Sequence, residues 1–127
     1  MEVLSGRVLL RPLDLDRSAA FYGDALGLAI YREYGEGEHR GIVYFMGGGF
    51  LELSGRAHTE PGRNVELWLQ VRDLVETHAA LVGAGVTVLD PPARQPWGLD
   101  EMWIEDPDGV RIVVVEVPAE HPLRYRP

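Results

Sequence analysis

The sequence predicts an α+β protein built from two βαβββ repeats, and three observations predict it. Two segments share one grammar of apolar strand, Asp-Leu, helical stretch and glycine stop, the first running from Arg7 to Leu28 and the second from Glu66 to Val86. Within them Asp14 and Asp73 take matching places, with Arg7 and Glu66 at the same spacing ahead. Each segment is followed by three short β-patterned runs, and a tight-turn motif stands in each copy, Gly47-Gly48-Gly49 and Asp106-Pro107-Asp108-Gly109.

Taken in order, the first strand opens at Arg7. Asp14 then caps a helix whose buried stripe is Leu15, Ala19, Tyr22 and Leu26, and Gly27 ends it. Strands are expected over 29–34, 41–46 and 50–54, and the polar stretch 55–63 reads as a connector. In the second copy Asp73 caps, and Glu76 three residues later gives a capping-box pattern. Leu74, His78, Leu81 and Val82 share a helix face, and Gly83 and Gly85 suit a left-handed stop. Strands follow over 86–89, 101–105 and 110–117, and the tail from Pro118 reads as an irregular end or a strap across a neighbour. One such half can bury only one face of its sheet, so the two halves are expected to pair. The chain is read as a single domain over 1–127, repeat one spanning about 1–58 and repeat two about 59–127.

Composition narrows the function classes. The 127 residues are 46% hydrophobic and 25% charged, ordinary for a globular protein. No apolar run approaches the roughly 20 residues of a membrane span, and no cleavable signal segment is read at the N-terminus. The absence of cysteine excludes disulfides, thiolate metal sites and cysteine nucleophiles, and fits a cytoplasmic protein. Twenty acidic against 12 basic residues give a formal charge of −8, which repels nucleic acid and would attract a cationic small molecule. Solubility alone also accounts for that charge. There is no phosphate-binding glycine loop opening a helix, no serine elbow and no His-rich metal spacing among His39, His58, His78 and His121.

Several short motifs, in their order and spacing, carry a resemblance across nearly the whole chain. They are Asp14-Leu-Asp-Arg-Ser18 leading to Phe21-Tyr22, Leu26-Gly27-Leu28, Phe50-Leu-Glu-Leu53, Val71-Arg-Asp73, Gln95-Pro-Trp-Gly98 and Asp106-Pro-Asp-Gly109. Together they resemble the vicinal oxygen chelate family, which includes the glyoxalases, the bleomycin-resistance proteins and the extradiol dioxygenases. The resemblance implies a cupped mixed sheet with the helices on its convex face. It also implies four metal-ligand positions, here Arg7, Glu52, Glu66 and Val113. Glu52 and Glu66 can donate to a hard cation, but a guanidinium and a valine cannot. The expectation is therefore no cofactor, with these four positions vestigial and Arg7 available to pair with the two glutamates; a divalent metal on Glu52 and Glu66 is the minority reading.

Strand alternation then assigns a lining. Phe50, Glu52, Glu66, Trp68, Trp103 and Val113 are expected to face the cup along with Arg7, and Trp97 to border it from a loop. Any one tryptophan is better explained as core; the set, spread over separate strands, favours a ligand pocket. The loop Gln95–Gly98 and the strand after it are most similar to the metal-free bleomycin-resistance branch. That resemblance implies a homodimer that sequesters an aromatic natural product or antibiotic, cationic ones included, with neither nucleic acid nor membrane as a partner. The alternative is a metal-dependent lyase, isomerase or dioxygenase using Glu52 and Glu66, and a third reading is a member retained for a protein interaction.

Overall fold

The computed structural model describes residues 1–124, grouped in two compact units, Met1–Pro61 and Gly62 onward. The first contains β1 (Arg7–Leu10), α1 (Leu15–Ala19), β2 (Ile30–Tyr34), β3 (Gly41–Met46) and β4 (Gly49–Ser54). The second contains β5 (Leu67–Gln70), α2 (Leu74–Gly83), β6 (Thr87–Arg94), β7 (Asp100–Glu105) and β8 (Arg111–Glu116). Each unit is thus β-α-β-β-β. Its four strands form a mixed sheet, in the order β1-β4-β3-β2 in one unit and β5-β8-β7-β6 in the other. The first and last strands of each unit run parallel and the remaining pairs antiparallel. The α+β repeat expected from sequence is the fold observed.

Local chemistry sets the helix starts. The Asp14 carboxylate accepts from the Arg17 backbone N–H at 3.1 Å, and Asp73 accepts from that of Glu76 at 2.9 Å. Each satisfies a donor that a helix start leaves free. α2 gains another partner when the Glu116 carboxylate accepts from the Leu74 N–H at 2.8 Å, tying the helix to β8. Gly85, at φ +78°, provides the left-handed step after α2, whereas Gly83 lies inside the helix.

The buried stripes differ from expectation in detail. α1 gives way at once to a π-helical segment, Ala20–Ala25, in which the Leu26 N–H donates to the Phe21 carbonyl at 2.8 Å. The physical cause lies beneath the helix. The Tyr44 hydroxyl reaches the Ala19 carbonyl at 3.4 Å, and Gly23 offers no side chain to block it. The wider turn moves the buried face onto Ser18, Phe21 and Tyr22, leaving Leu15 and Leu26 partly exposed. In α2, Leu74 and Leu81 are buried but Val82 is exposed. β6 continues to Arg94, past the expected end at 89, because Pro91 and Pro92 sit in a register shift on an edge strand, where a missing N–H is tolerated.

The helix-facing sides carry the apolar core of each unit: Tyr44, Leu51 and Leu53 in the first, Met102, Ile104, Ile112 and Val114 in the second. No helix among the described residues is long and apolar enough to cross a membrane. The expected tail from Pro118 includes a short 3-10 turn at Pro122–Arg124; its last residues, 125–127, lie outside the described residues.

Two substitutions should move stability in opposite directions. Asp73→Ala removes a helix cap and should lower the unfolding free energy by about 1 kcal/mol. Ser18→Ala removes a buried hydroxyl that has no hydrogen-bond partner among the described residues, and should leave stability unchanged or raise it by up to about 1 kcal/mol. Urea denaturation of both variants checks the pair of signs.

Candidate functional site

With its helix side occupied, each sheet has a second face, and on unit 1 that face is organised around Glu52. Parallel pairing of β1 with β4 sets Leu9 opposite Glu52 and Arg7 opposite Phe50. Arg7 Nη1 donates to Glu52 Oε1 at 2.7 Å. The Ser54 and Tyr34 hydroxyls donate to Oε2 at 2.7 and 2.8 Å, and Arg11 Nη1 donates to Ser54 Oγ at 2.7 Å. Glu52 is only 12% exposed at its side chain and Arg7 35%. Partial burial would raise the Glu52 pKa, but hydrogen bonds from Ser54, Arg7 and Tyr34, with the Arg7 charge, outweigh it and hold the carboxyl below its usual range.

Beside this network lies an aromatic cluster. The Tyr31 ring stands 5.2 Å from Phe45 and 4.9 Å from Phe50, and Phe45 and Phe50 are 5.7 Å apart. Tyr31 and Phe45 are about half exposed, at 50% and 46%. The Arg7 guanidinium stands 5.9 Å from the Phe50 centroid, and that of Arg32 stands 5.2 Å from Tyr34. Tyr31, Arg32, Tyr34 and Phe45 were not singled out from sequence. Tyr31 escapes because β2 has a register shift between Ile30 and Arg32, which breaks strict alternation. Phe45 could have been found: a two-residue Gly47-Gly48 turn sets Met46 opposite Gly49 and so Phe45 opposite Phe50.

On unit 2 the corresponding face has an apolar row at its centre, flanked by Arg111, Glu101 and Gln70. Trp68, Val113 and Trp103 lie in one row across β5, β8 and β7. Val113 is buried with Leu99, Val115 and Val117, and Trp103 packs against them, whereas Trp68 is 49% exposed. The exposed Trp97 donates through Nε1 to Glu101 Oε2 at 2.7 Å, holding a buried carboxylate at the edge of this apolar row. His121 accepts from the Leu123 N–H on Nδ1, so its Nε2 carries the proton and donates to the Trp97 carbonyl at 3.0 Å. Glu66 falls just ahead of β5 and is exposed. The eight residues marked from sequence therefore divide into Arg7, Phe50 and Glu52 on one unit, and Glu66, Trp68, Trp97, Trp103 and Val113 on the other.

These residues do not fit a metal. Both oxygens of Glu52 already accept hydrogen bonds, one from a guanidinium that would repel a cation. Val113 has no donor atom and is enclosed by hydrocarbon. Among the described residues no three His, Asp or Glu side chains converge as a metal-binding group would require. A cleft of about 380 Å³ opens elsewhere on unit 1, between residues 12–16, the 37–40 turn and Gly55-Arg56. It contains none of the residues marked from sequence, and Asp16 on its wall already pairs with Arg40 at 3.1 Å.

The sequence profile of the Glyoxalase/Bleomycin resistance protein/Dioxygenase superfamily matches residues 5–114. The chain belongs to this superfamily. A relative in it, a probable lactoylglutathione lyase of Vibrio cholerae serotype O1, is 27% identical over 124 residues, covering 89% of this chain and 90% of the relative. A glyoxalase-related enzyme from Fulvimarina pelagi is similar in structure, with a TM-score of 0.72 and 29% identity over 94% of this chain and 91% of its own. An antibiotic binding protein from a Streptomyces species, TnmS3, shares the superfamily fold at a TM-score of 0.77 and 22% identity, with 92% and 98% of the two chains covered.

The Glu52 network predicts a pH signature. Since folding lowers this carboxyl's pKa, its contribution is complete above the unfolded-chain value, about 4, and disappears as pH falls through the lower folded value. Glu52→Gln should be less stable by about 1 kcal/mol near neutrality, a figure discounted for the water that reaches Arg7. The gap from the parent should close as the pH is lowered through the carboxylate range, read by denaturation at each pH.

Proposed function

We propose that this superfamily member is a small-molecule binding protein that sequesters an aromatic natural product or antibiotic without chemical change and without a metal. The observation that carries the reading is the exposed aromatic surface on strand faces, Tyr31 and Phe45 backed by the partly buried Phe50 on one unit and Trp68 on the other. Aromatic side chains offered to solvent on a rigid sheet give stacking area at small entropic cost. Support also comes from the commitment of Glu52 to Arg7, Tyr34 and Ser54, whose three donors take most of its acceptor capacity while the Arg7 charge opposes a metal ion. The antibiotic binding protein of the same fold sets a precedent for the architecture serving this purpose.

A second reading is a lyase of the glyoxalase type. It is favoured by the near full-length match to the probable lactoylglutathione lyase. In that case Glu52 or Glu66 would serve as metal ligand or base, and Arg7 would have to leave Glu52. A homodimer is part of the first reading, since β1 and β2 close the ends of one sheet and β5 and β6 those of the other, and edge strands favour a covering partner. Cytoplasmic residence is proposed with it, to be checked by cell fractionation.

The deciding experiment is elemental analysis of protein purified without a metal-affinity tag, followed by titration with manganese, nickel and zinc. We expect no stoichiometric metal, no thermal shift and no lactoylglutathione turnover. A panel of aromatic antibiotics should quench tryptophan fluorescence, with the bound compound recovered unaltered in mass and Trp68→Ala weakening binding about tenfold. One metal per chain that disappears in Glu52→Ala, together with turnover, would establish the lyase instead. Light scattering in solution tests the dimer.

A further inference from the structure

We infer that the open face of unit 1 receives an anionic group on its aromatic ligand, and that the class it fits is a planar aromatic carboxylate. The inference rests on the aromatic-binding reading above and fixes the sign of charge that the reading leaves open. It begins with Glu52, the acid that would have attracted a cation. Its charge is matched by Arg7 at 2.7 Å, and its second oxygen is taken by two hydroxyls. Nothing anionic on this carboxylate is left for a ligand to find.

The cations are in a different position. Cross-strand register places Arg32 in the row Arg32–Val43–Glu52–Leu9, on the same face as the network, and its stacking on Tyr34 agrees. Arg11 joins that face through Ser54 Oγ. Among the described strand and strand-end residues of this face, three guanidiniums, Arg7, Arg11 and Arg32, thus accompany one carboxylate. Two positive charges are in excess, on a chain whose formal charge is −8. Against that acidic background a basic, aromatic face concentrates anions locally.

Placement strengthens the assignment. The register shift in β2 leaves Tyr31 against Phe45 and Phe50 while Arg32 lies on the same face, so a stacking surface and a guanidinium with no carboxylate partner among the described residues come from adjacent positions. Arg7 lies beside Phe50 on the other flank and has N–H groups beyond the one given to Glu52. A flat ring resting on the cluster would find donors at its margin. Arginine's planar fork suits a carboxylate, which accepts two parallel hydrogen bonds.

The test is calorimetric titration of the intact protein at low salt with three probes that share one ring: naphthoate, naphthamide and naphthylmethylammonium. The expected order is naphthoate tightest, by about tenfold over the amide, with the ammonium weakest, and added salt should narrow the spread. Arg32→Gln should weaken naphthoate about fivefold and leave the amide unchanged. Arg17→Gln, an equal charge change on the helix α1, should alter neither. Amide or ammonium binding as tightly as naphthoate, yet lost in Phe45→Ala, would overturn the anionic assignment and leave aromatic sequestration standing. Failure of all three probes to bind would overturn both.

Discussion

One helix can cover only one face of a four-stranded sheet, and the rest of this molecule follows from that constraint. In each βαβββ unit the helix takes the side on which alternate strand residues are Leu, Ile, Val and Met, so the remaining alternate residues are released from core packing. In β4 this sorts Leu51 and Leu53 to the helix and Phe50, Glu52 and Ser54 to the other side. Polar and aromatic residues can collect there because the unit's own helix packs on the opposite side of the sheet. The parallel pairing of the first strand with the last then carries Arg7 to the side of Glu52.

The two repeats have put different chemistry on the same scaffold position. Glu52 in β4 lies between Leu9 and Val43; Val113 in β8 lies between Trp68 and Trp103. One became the hub of an ion pair and two hydroxyl contacts, and the other a buried member of an apolar cluster. Divergence of this kind is cheap in a duplicated fold, because helix-facing residues hold each unit together while the opposite face varies. It also explains why superfamily membership does not fix activity. A relative of this chain carries the name probable lactoylglutathione lyase, whereas a protein that shares its fold is an antibiotic binding protein. The function must be argued from the side chains on the open faces.

Arg7 is the residue on which those arguments turn. With a guanidinium against it, Glu52 is an internal counter-ion, satisfied by its neighbours. Its pairing also changes the electrostatics of the face, since Arg11 and Arg32 then have no carboxylate of their own there among the described strand and strand-end residues. A composition with an excess of acid can therefore contain a face with an excess of base. Net charge describes the whole surface, whereas binding responds to the few charges that a ligand meets.

The strands, caps and repeat were legible in the sequence because their signals are local. Period-two alternation, an aspartate ahead of an apolar helix stripe and a glycine where the chain must turn left-handed each act within a few residues. Part of the candidate site was legible for the same reason, as alternation grouped Phe50, Glu52 and Ser54. What no local signal carried depends on contacts between distant residues. The Arg7–Glu52 pair spans a separation of 45 positions, and the π-helical shift answers to Tyr44 beneath the helix. The β2 register shift that leaves Tyr31 beside Phe45 and Phe50 is settled only when two strands pair. Sequence therefore determined which elements form and which strand residues can leave the core. Tertiary packing decided which of those residues meet, because register, bulges and ion pairs are properties of two segments together.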